Sequence, residues 1–206
     1  MVTDLRTGGM AGGSGEQAQT TSLLSQMMHY YKIPNSSIAG ASDSNIPDYQ
    51  AGYEKALSIA TSAQSGANLI TQASGMLSGL MGVSLESFVL DNELCGSILS
   101  SMRSIDVPVL TKDLESIRQV IERDKHFLGE SDTLKRMSTD FDYPKSAKRL
   151  SPELWMKEKD NTMLNEARKN LEKILSGNFQ SHLSTKILRK IETDFDINLD
   201  LIYRHK

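Results

Sequence analysis

The sequence predicts an α/β fold with parallel strands, followed by a charged helical C-terminal extension. Short apolar segments alternate with helical segments through connections of a few residues, and this order is typical of parallel β/α units. Charge is unevenly distributed, because residues 1–100 carry 3 basic and 8 acidic side chains whereas residues 101–206 carry 20 and 18. So many charges cannot all be buried. We therefore expect residues 1–130 to form the β/α layer, and residues 131–206 to form a wrapping segment and helices packed on it.

The first elements have recognisable ends. After a glycine-rich loop at residues 2–15, the spacing of apolar residues predicts a helix over residues 16–31. A strand is expected over residues 37–41, and a helix over residues 48–65 that Gly66 ends. The apolar face predicted for the first helix consists of Leu23, Leu24, Met27, Met28 and Tyr31.

The next unit begins with residues 67–73, which read as a buried strand. Ser84 is a suitable N-cap for the helix that follows. The spacing predicts that this helix turns Leu85, Phe88, Val89 and either Cys95 or Gly96 inward.

The charged second half begins with a strand expected over residues 107–110 and a helix over residues 112–123. Residues 130–160 show little periodicity and are predicted to be a long wrapping segment. Two further helices are expected over residues 161–175 and 184–196.

Composition narrows the class of protein. The net charge of −3 argues against binding nucleic acid through its phosphates. A single cysteine excludes an internal disulfide and fits a reducing compartment. The first thirty residues do not read as a secretory signal, and no apolar stretch is long enough to span a membrane. These observations predict a cytoplasmic protein that binds neither membrane nor nucleic acid.

Most of the familiar chemical motifs are missing. The four histidines have no metal-ligand spacing and no cysteine beside them, so no metal site is expected. The glycine-rich start suggests phosphate binding, but it lacks a P-loop ending and a dinucleotide fingerprint, which favours a flexible loop before a helix. Cys95 lies within a helix on an apolar face, which favours a buried, inert thiol over a nucleophile.

Polar side chains follow two predicted strands at the point where each strand ends. Asp43 and Asp48 come after the first strand, and Gln72 comes at the end of the second. Because ligands of parallel β/α folds bind at the carboxyl ends of strands, these residues should share one rim. Capping and turn chemistry is the alternative reading, and it has most force for the serines beside Asp43. Asp43 and Gln72 are the better candidates to orient a polar ligand.

Several short motifs occur in one order that resembles the C-terminal half of the trimethylamine methyltransferase family. They are DLRTGG (Asp4–Gly9), SGEQAQ (Ser14–Gln19), HYYKIP (His29–Pro34), AGASDSNIPDYQAGYEKAL (Ala39–Leu57), GANLI (Gly66–Ile70), GMLSGLMGVSLESFVLDNE (Gly75–Glu93) and HFLG (His126–Gly129). The similarity covers residues 2–135 well and the remainder weakly. After HFLG the family usually continues with a His-Thr pair, whereas this chain has Asp132 and Thr133.

The resemblance implies the C-terminal part of a (β/α)8 TIM-type barrel. It also implies an enzyme that moves a methyl group from a methylamine or quaternary amine to the cobalt of a separate corrinoid protein. The corrinoid would sit on that partner, so this chain would bind no cofactor directly. Only ordinary residues occur here, and the chain is more similar to the non-pyrrolysine branch, whose substrates include glycine betaine.

The expected site and assembly follow from the same resemblance. Aromatic faces and carboxylates hold a quaternary ammonium, so Asp43, Asp48 and Tyr49 are candidate substrate contacts beside Gln72. The alternative for Tyr49 is packing against the barrel. No catalytic residue is assigned. A full barrel needs about 250 residues, so a second polypeptide or a second copy could complete the fold. The alternative is a non-catalytic remnant or a partner-binding subunit of such an enzyme.

Overall fold

The structure, a computed structural model, describes residues 1–104, 107–123, 126–158, 162–177 and 182–197. Contacts divide the chain into two compact units, Met1–Ala167 and Arg168–Lys206. The helices are α1 (Gly15–Tyr30), α2 (Tyr49–Gln64), α3 (Leu85–Ser101), α4 (Val107–Arg123), α5 (Ser131–Thr139), α6 (Pro152–Lys157), α7 (Met163–Leu175) and α8 (Thr185–Phe195). The strands are β1 (Ser36–Ile38), β2 (Leu69–Thr71), β3 (Met76–Leu77) and β4 (Gly82–Val83).

A parallel β-α-β unit forms the centre of the first compact unit. β1 pairs with β2 in parallel, with Ser37 opposite Ile70, and α2 connects the two strands. The predicted order of strand, helix and strand is therefore confirmed, although each strand is shorter than expected. Beyond β2, the strands β3 and β4 form a separate antiparallel pair around the 3₁₀ turn Ser78–Leu80, which the sequence did not predict.

The described strands do not close into a barrel. They form two separate two-stranded sheets, and helices make up most of the remaining regular structure. The mixed α/β class is therefore supported, and the (β/α)8 barrel is not confirmed for this chain.

The strand predicted over residues 107–110 is wrong, because Val107 begins helix α4, which continues to Arg123. A short run of four apolar residues is compatible with a strand or with a helix, and here the run forms the first turn of the amphipathic helix that continues from it. In contrast, the predicted cap Ser84 is confirmed, because its hydroxyl accepts a hydrogen bond from the Ser87 amide. Ser184, which was predicted only as the first residue of the last helix, caps α8 in the same way and accepts from the Ile187 amide. Serine hydroxyl groups at helix starts are thus a dependable local signal in this chain.

The buried faces of α1 and α3 differ from the apolar faces that the sequence predicted. α1 buries Gln17, Ala18, Thr21 and Ser25, and α3 buries Ser87, Asp91 and Ile98. The large apolar residues of α1 are mostly exposed, including Leu23 at 56% and Tyr31 at 58%. Small side chains allow α1 to lie close to α2, where the Ser65 hydroxyl donates to the Ser22 hydroxyl at 2.7 Å.

A buried ion pair connects α2 to α3. The Lys55 ammonium donates to the Asp91 carboxylate at 2.5 Å, and both side chains are almost fully buried. The same carboxylate oxygen accepts the Gly75 amide at 2.7 Å. Gly75 has a positive φ of 80°, and a Cβ there would lie 2.4 Å from the Phe88 ring. The pair therefore fixes the turn after β2 as well as the two helices.

A second carboxylate anchors the segment between α5 and α6. Glu93 of α3 accepts the main-chain amides of Lys145, Ser146 and Ala147 at 3.0, 2.6 and 3.3 Å. Ser146 is fully buried at this point. The predicted wrapping segment therefore contains two short helices, and its middle is held to α3 by one side chain.

The second compact unit contains the end of α7 and helix α8. α8 begins at the cap Ser184 and ends at Asp196, which has a left-handed φ of 48°. Its residues Ile187 and Phe195 are 48% and 71% exposed, and Leu188 and Ile191 are half-buried.

Candidate functional site

The turn that follows β1 is held by Glu54 of α2. Glu54 is 5% exposed, and its Oε2 atom accepts the Ser42 hydroxyl at 2.7 Å and the Asp43 amide at 2.8 Å. Its Oε1 atom accepts the Gln50 side-chain amide at 2.8 Å. These three partners are hydrogen-bond donors, so they require an acceptor at this position. The helix thereby determines the conformation of the residues at the carboxyl end of β1.

Two glycines of the N-terminal loop hold the Asp43 carboxylate. The Gly12 amide donates to Oδ1 at 3.1 Å, and the Gly13 amide donates to Oδ2 at 3.2 Å. A Cβ at Gly13 would lie 2.4 Å from a Glu54 oxygen, so only glycine fits there. The glycine-rich loop therefore offers its amides to a carboxylate of the same chain, and its predicted role as a loop before a helix is confirmed.

The Asp43 carboxyl group is easier to protonate than an ordinary aspartate. Partial burial raises its pKa, and the negative charge of Glu54 raises it further, against the opposing effect of the two glycine amides. A cationic ligand beside Asp43 would relieve both unfavourable effects, because it would compensate the charge of the carboxylate. This electrostatic environment favours a positively charged group at this position.

A strained turn borders Asp43. Ser78, Gly79 and Leu80 have positive φ angles of 53°, 58° and 74°. Left-handed conformations cost non-glycine residues about 1–2 kcal/mol each. Two main-chain hydrogen bonds hold the turn. The Ser78 amide donates to the Ser44 carbonyl at 2.8 Å, and the Gly79 amide donates to the Ser42 carbonyl at 3.0 Å. Strained backbone of this kind occurs most often at functional sites.

Two tyrosines of α2 lie beside the carboxylates. Tyr49 is 86% exposed and Tyr53 48% exposed, and their ring centroids are 5.6 Å apart with the planes tilted by 50°. The Tyr53 hydroxyl donates to Glu54 Oε1 at 3.5 Å. Burial and the nearby charges of Glu54 and Asp43 raise the pKa of Tyr53, so its ring remains a neutral phenol. The site thus combines accessible aromatic faces with carboxylates.

The other two candidates, Asp48 and Gln72, lie near the same end of the sheet. Asp48 caps α2, and its Oδ1 accepts the Ala51 amide at 3.0 Å and the Ser44 hydroxyl at 2.9 Å. These bonds lower the pKa of Asp48. Gln72 directly follows β2, is exposed and has a positive φ of 65°. No hydrogen bond in the described residues joins Gln72 to the other candidates, so its role stays a prediction.

Sequence reasoning missed Glu54, Tyr53 and the two glycines that bind Asp43. The separation of about thirty residues between Asp43 and the glycines carries no local signal. Glu54 was foreseeable only in part, because its position one turn after Gln50 suggests a helical pair but not a contact with the turn.

Among the described residues, Cys95 and the possible metal ligands do not form a second candidate site. Cys95 is half-buried, and burial together with the charge of Asp91 raises the pKa of its thiol, which agrees with the predicted inert thiol. Within the described ranges, no three His, Cys, Asp or Glu side chains are grouped so that they could hold a metal ion. None of the described helices combines the length and apolar character needed to cross a membrane.

Comparisons with known proteins agree on one family. A family model for trimethylamine methyltransferase matches residues 1–198. The chain is 32% identical over 165 residues to a glycine betaine methyltransferase of Desulfitobacterium hafniense strain Y51, which covers 78% of this chain and 33% of that protein. It is 29% identical over 196 residues to the trimethylamine methyltransferase MttB of Methanosarcina barkeri strain Fusaro, which covers 94% of this chain and 38% of that protein. The chain therefore spans about a third of the length of these relatives.

Proposed function

Because this chain belongs to the trimethylamine methyltransferase family, we propose that it forms the substrate-binding edge of a methyltransferase that acts on a methylated amine. The methyl donor is a quaternary or protonated tertiary amine of the glycine betaine or trimethylamine type. The acceptor is the cobalt of a corrinoid carried by a partner protein. The nature of the methyl donor is argued from the residues around Asp43, and the corrinoid partner is argued from the family resemblance.

The observation that carries the proposal is the combination of Asp43 with the tyrosine pair of α2. A methylated ammonium has a diffuse positive charge, and aromatic faces and carboxylates attract it without needing a proton from it. Tyr49 and Tyr53 supply two accessible rings, and Tyr53 lies beside Glu54, the residue that also accepts the Asp43 amide. Glu54 and the glycine amides keep the carboxylate in place before the ligand arrives.

The chemistry of methyl transfer places its main demand on positioning. The carbon–nitrogen bond breaks with its electron pair on nitrogen, so a positively charged donor leaves as a neutral amine. A corrinoid on the partner protein would supply the nucleophilic cobalt that takes the methyl group. The protein therefore has to align the methyl carbon between nitrogen and cobalt and does not need an acid or base in that step. A rigid edge fixed by Glu54 suits this task.

A corrinoid protein is the expected partner, and a second polypeptide or a second copy of the chain would complete the fold around the edge. We place the protein in the cytoplasm on the evidence of its single cysteine and its family.

A methyl-transfer assay tests the proposal. The 206-residue chain is incubated with glycine betaine or trimethylamine and reduced cobalamin, and the absorbance change of the corrinoid reports transfer. We expect Asp43→Asn and Tyr53→Leu to lower the rate at least about tenfold, the loss expected when one charge or aromatic contact is removed. Tyr30→Leu changes an exposed tyrosine at the end of α1 and serves as the matched control.

The alternative is a non-catalytic remnant or a partner-binding subunit. The observation that favours it is the length of the chain, which spans about a third of its relatives. Transfer activity that depends on Asp43 would exclude this alternative. Binding of a methylated amine without transfer, in the presence of a complementing polypeptide, would support it and contradict the catalytic proposal.

A further inference from the structure

We propose that the buried Lys55–Asp91 pair is a positioning element of the candidate site. Through the Gly75 amide it sets the position of residues 75–79, the segment that borders Asp43. The inference rests on the proposed function, because it concerns the edge at which a methylated amine would bind. It also makes a claim about the chain without ligand, so its failure and the failure of the proposed function are distinguishable.

Two neighbouring residues of α2 hold the two sides of this edge. Glu54 holds the turn after β1, because it accepts the Ser42 hydroxyl and the Asp43 amide. Successive residues of an α-helix point about 100° apart, so the next residue, Lys55, faces in another direction. Its ammonium donates to the Asp91 carboxylate of α3 at 2.5 Å. One turn of α2 therefore anchors both sides of the edge, the first directly and the second through α3.

The Asp91 carboxylate holds the start of the second side. Its Oδ2 atom accepts the Gly75 amide at 2.7 Å as well as the Lys55 ammonium. Gly75 has a positive φ of 80°, and its carbonyl accepts the amide of Ser84, the N-cap of α3, at 3.0 Å. The amide and the carbonyl of Gly75 are therefore both fixed to α3 or to its cap.

The residues after Gly75 run along the turn that carries Asp43. The Met76 carbonyl accepts the Ser42 amide at 3.3 Å, and the Gly79 amide donates to the Ser42 carbonyl at 3.0 Å. A Cβ on Gly79 would lie 3.8 Å from Asp43 Oδ1, so this segment lies next to the carboxylate itself. A displacement of Gly75 would therefore change the surroundings of Asp43.

An ion pair is not required simply to hold two helices together. Moving two charges from water into the interior has a desolvation cost that can exceed their attraction, and apolar side chains of similar volume often stabilise a fold equally well. The hydrogen bond to the Gly75 amide is the contact that an apolar pair cannot supply. The acceptor atom of Asp91 is therefore the feature that connects the pair to the site.

Two double variants separate the hydrogen bond from the charges. Lys55→Met with Asp91→Leu removes both charges and the acceptor of the Gly75 amide. Lys55→Met with Asp91→Asn also removes both charges but keeps a carbonyl oxygen for that amide. We expect both variants to fold, which circular dichroism and urea denaturation check. Lys55→Met with Asp91→Ala takes the place of the leucine variant if the larger side chain prevents folding.

Hydrogen exchange without ligand measures the position of the segment, and titration with glycine betaine, followed by amide NMR, measures the effect on the site. In the leucine variant we expect exchange in residues 75–79 to accelerate at least about tenfold. The dissociation constant should rise at least about tenfold in the same variant, because the groups around Asp43 lose their alignment. In the asparagine variant both quantities should stay within about threefold of the wild-type values.

Three results would overturn the inference. They are exchange or affinity in the leucine variant equal to that of the wild type, an equal loss in the leucine and asparagine variants, and failure of every variant without the acceptor to fold. In the last case the pair would be required for the fold and not for the position of one segment. If the wild-type chain binds no glycine betaine, the proposed function fails, and the exchange measurement still decides whether the pair positions residues 75–79.

Discussion

Glu54 is a buried residue whose hydrogen-bond donors restrict substitution. Ser42, Asp43 and Gln50 all donate hydrogen bonds to its carboxylate, and a glutamine would turn its own amide group towards one of these donors. We expect Glu54→Gln to lower the free energy of unfolding by about 1–3 kcal/mol, measured by urea denaturation. Glu16→Gln on the exposed first turn of α1 is the control, with an expected change within about 0.5 kcal/mol. Equal stability of the two variants would contradict the role of Glu54.

The pKa values of Asp43 and Asp4 should be shifted in opposite directions from the ordinary value of an aspartate. The pKa of Asp43 is raised above 3.8, whereas hydrogen bonds from Arg6 lower the pKa of Asp4 to about 2. Asp43 therefore contributes stability that is present below pH 3.8 and is lost as the pH rises through its raised pKa. Asp4 contributes stability that is present above 3.8 and is lost as the pH falls through about 2.

Carbon-detected NMR of the carboxyl groups measures both values, and each aspartate serves as the internal control for the other. The affinity for a methylated ammonium should fall with decreasing pH as Asp43 protonates, because the neutral acid no longer attracts the cation. A pKa of Asp43 below that of Asp4 would contradict the geometry of the site.

At the scale of elements, capping residues and alternation were predictable from the sequence, whereas the buried faces were not. Ser84 and Ser184 mark helix starts because the hydroxyl acts within three residues, a range that local sequence records. The buried face of a helix depends on what packs against it. α1 turns Thr21 and Ser25 inward because α2 and β1 lie close, and apolar spacing alone carries no record of that approach.

The Lys55–Asp91 pair should be the strongest link between α2 and α3. Asp91→Asn leaves a buried ammonium without its counter-charge, and we expect a loss of about 3–5 kcal/mol in the free energy of unfolding. The double variant Lys55→Met with Asp91→Leu removes both charges and should cost less than the single variant. A single variant that unfolds at the same urea concentration as the wild type would show that the pair contributes little.

Glu93 should control the segment at residues 145–147 without controlling the fold. Glu93→Ala removes the acceptor of three consecutive amides, so hydrogen exchange in residues 145–147 should accelerate to the rate of an exposed loop. Ser97→Ala is the matched control, because it removes a hydrogen bond to Asp142 from the same helix and leaves Glu93 in place. Similar exchange in both variants would contradict the anchoring role.

At the scale of the whole molecule, the sequence identified the family, but the expected barrel is not confirmed for this chain. The ordered motifs were sufficient to identify the family, since a family model matches residues 1–198. The barrel could not follow from a chain that spans about a third of its relatives, because closing a sheet needs strands beyond β1 and β2. Strand-end position suggested Asp43, the chemistry of a quaternary ammonium suggested Tyr49, and the roles of both stay predictions. The contacts that organise Asp43 join distant parts of the chain.

Binding of glycine betaine to the purified chain, followed by two-dimensional amide NMR, tests the central claim most directly. The control ligand is 3,3-dimethylbutyrate, which has the same shape but lacks the positive charge. We predict saturable shifts for the amides of Gly12, Gly13 and Asp43 with glycine betaine, no such shifts with the control ligand, and loss of the response in Asp43→Asn. Equal shifts with both ligands, or an undiminished response in Asp43→Asn, would contradict recognition of a methylated ammonium at this edge.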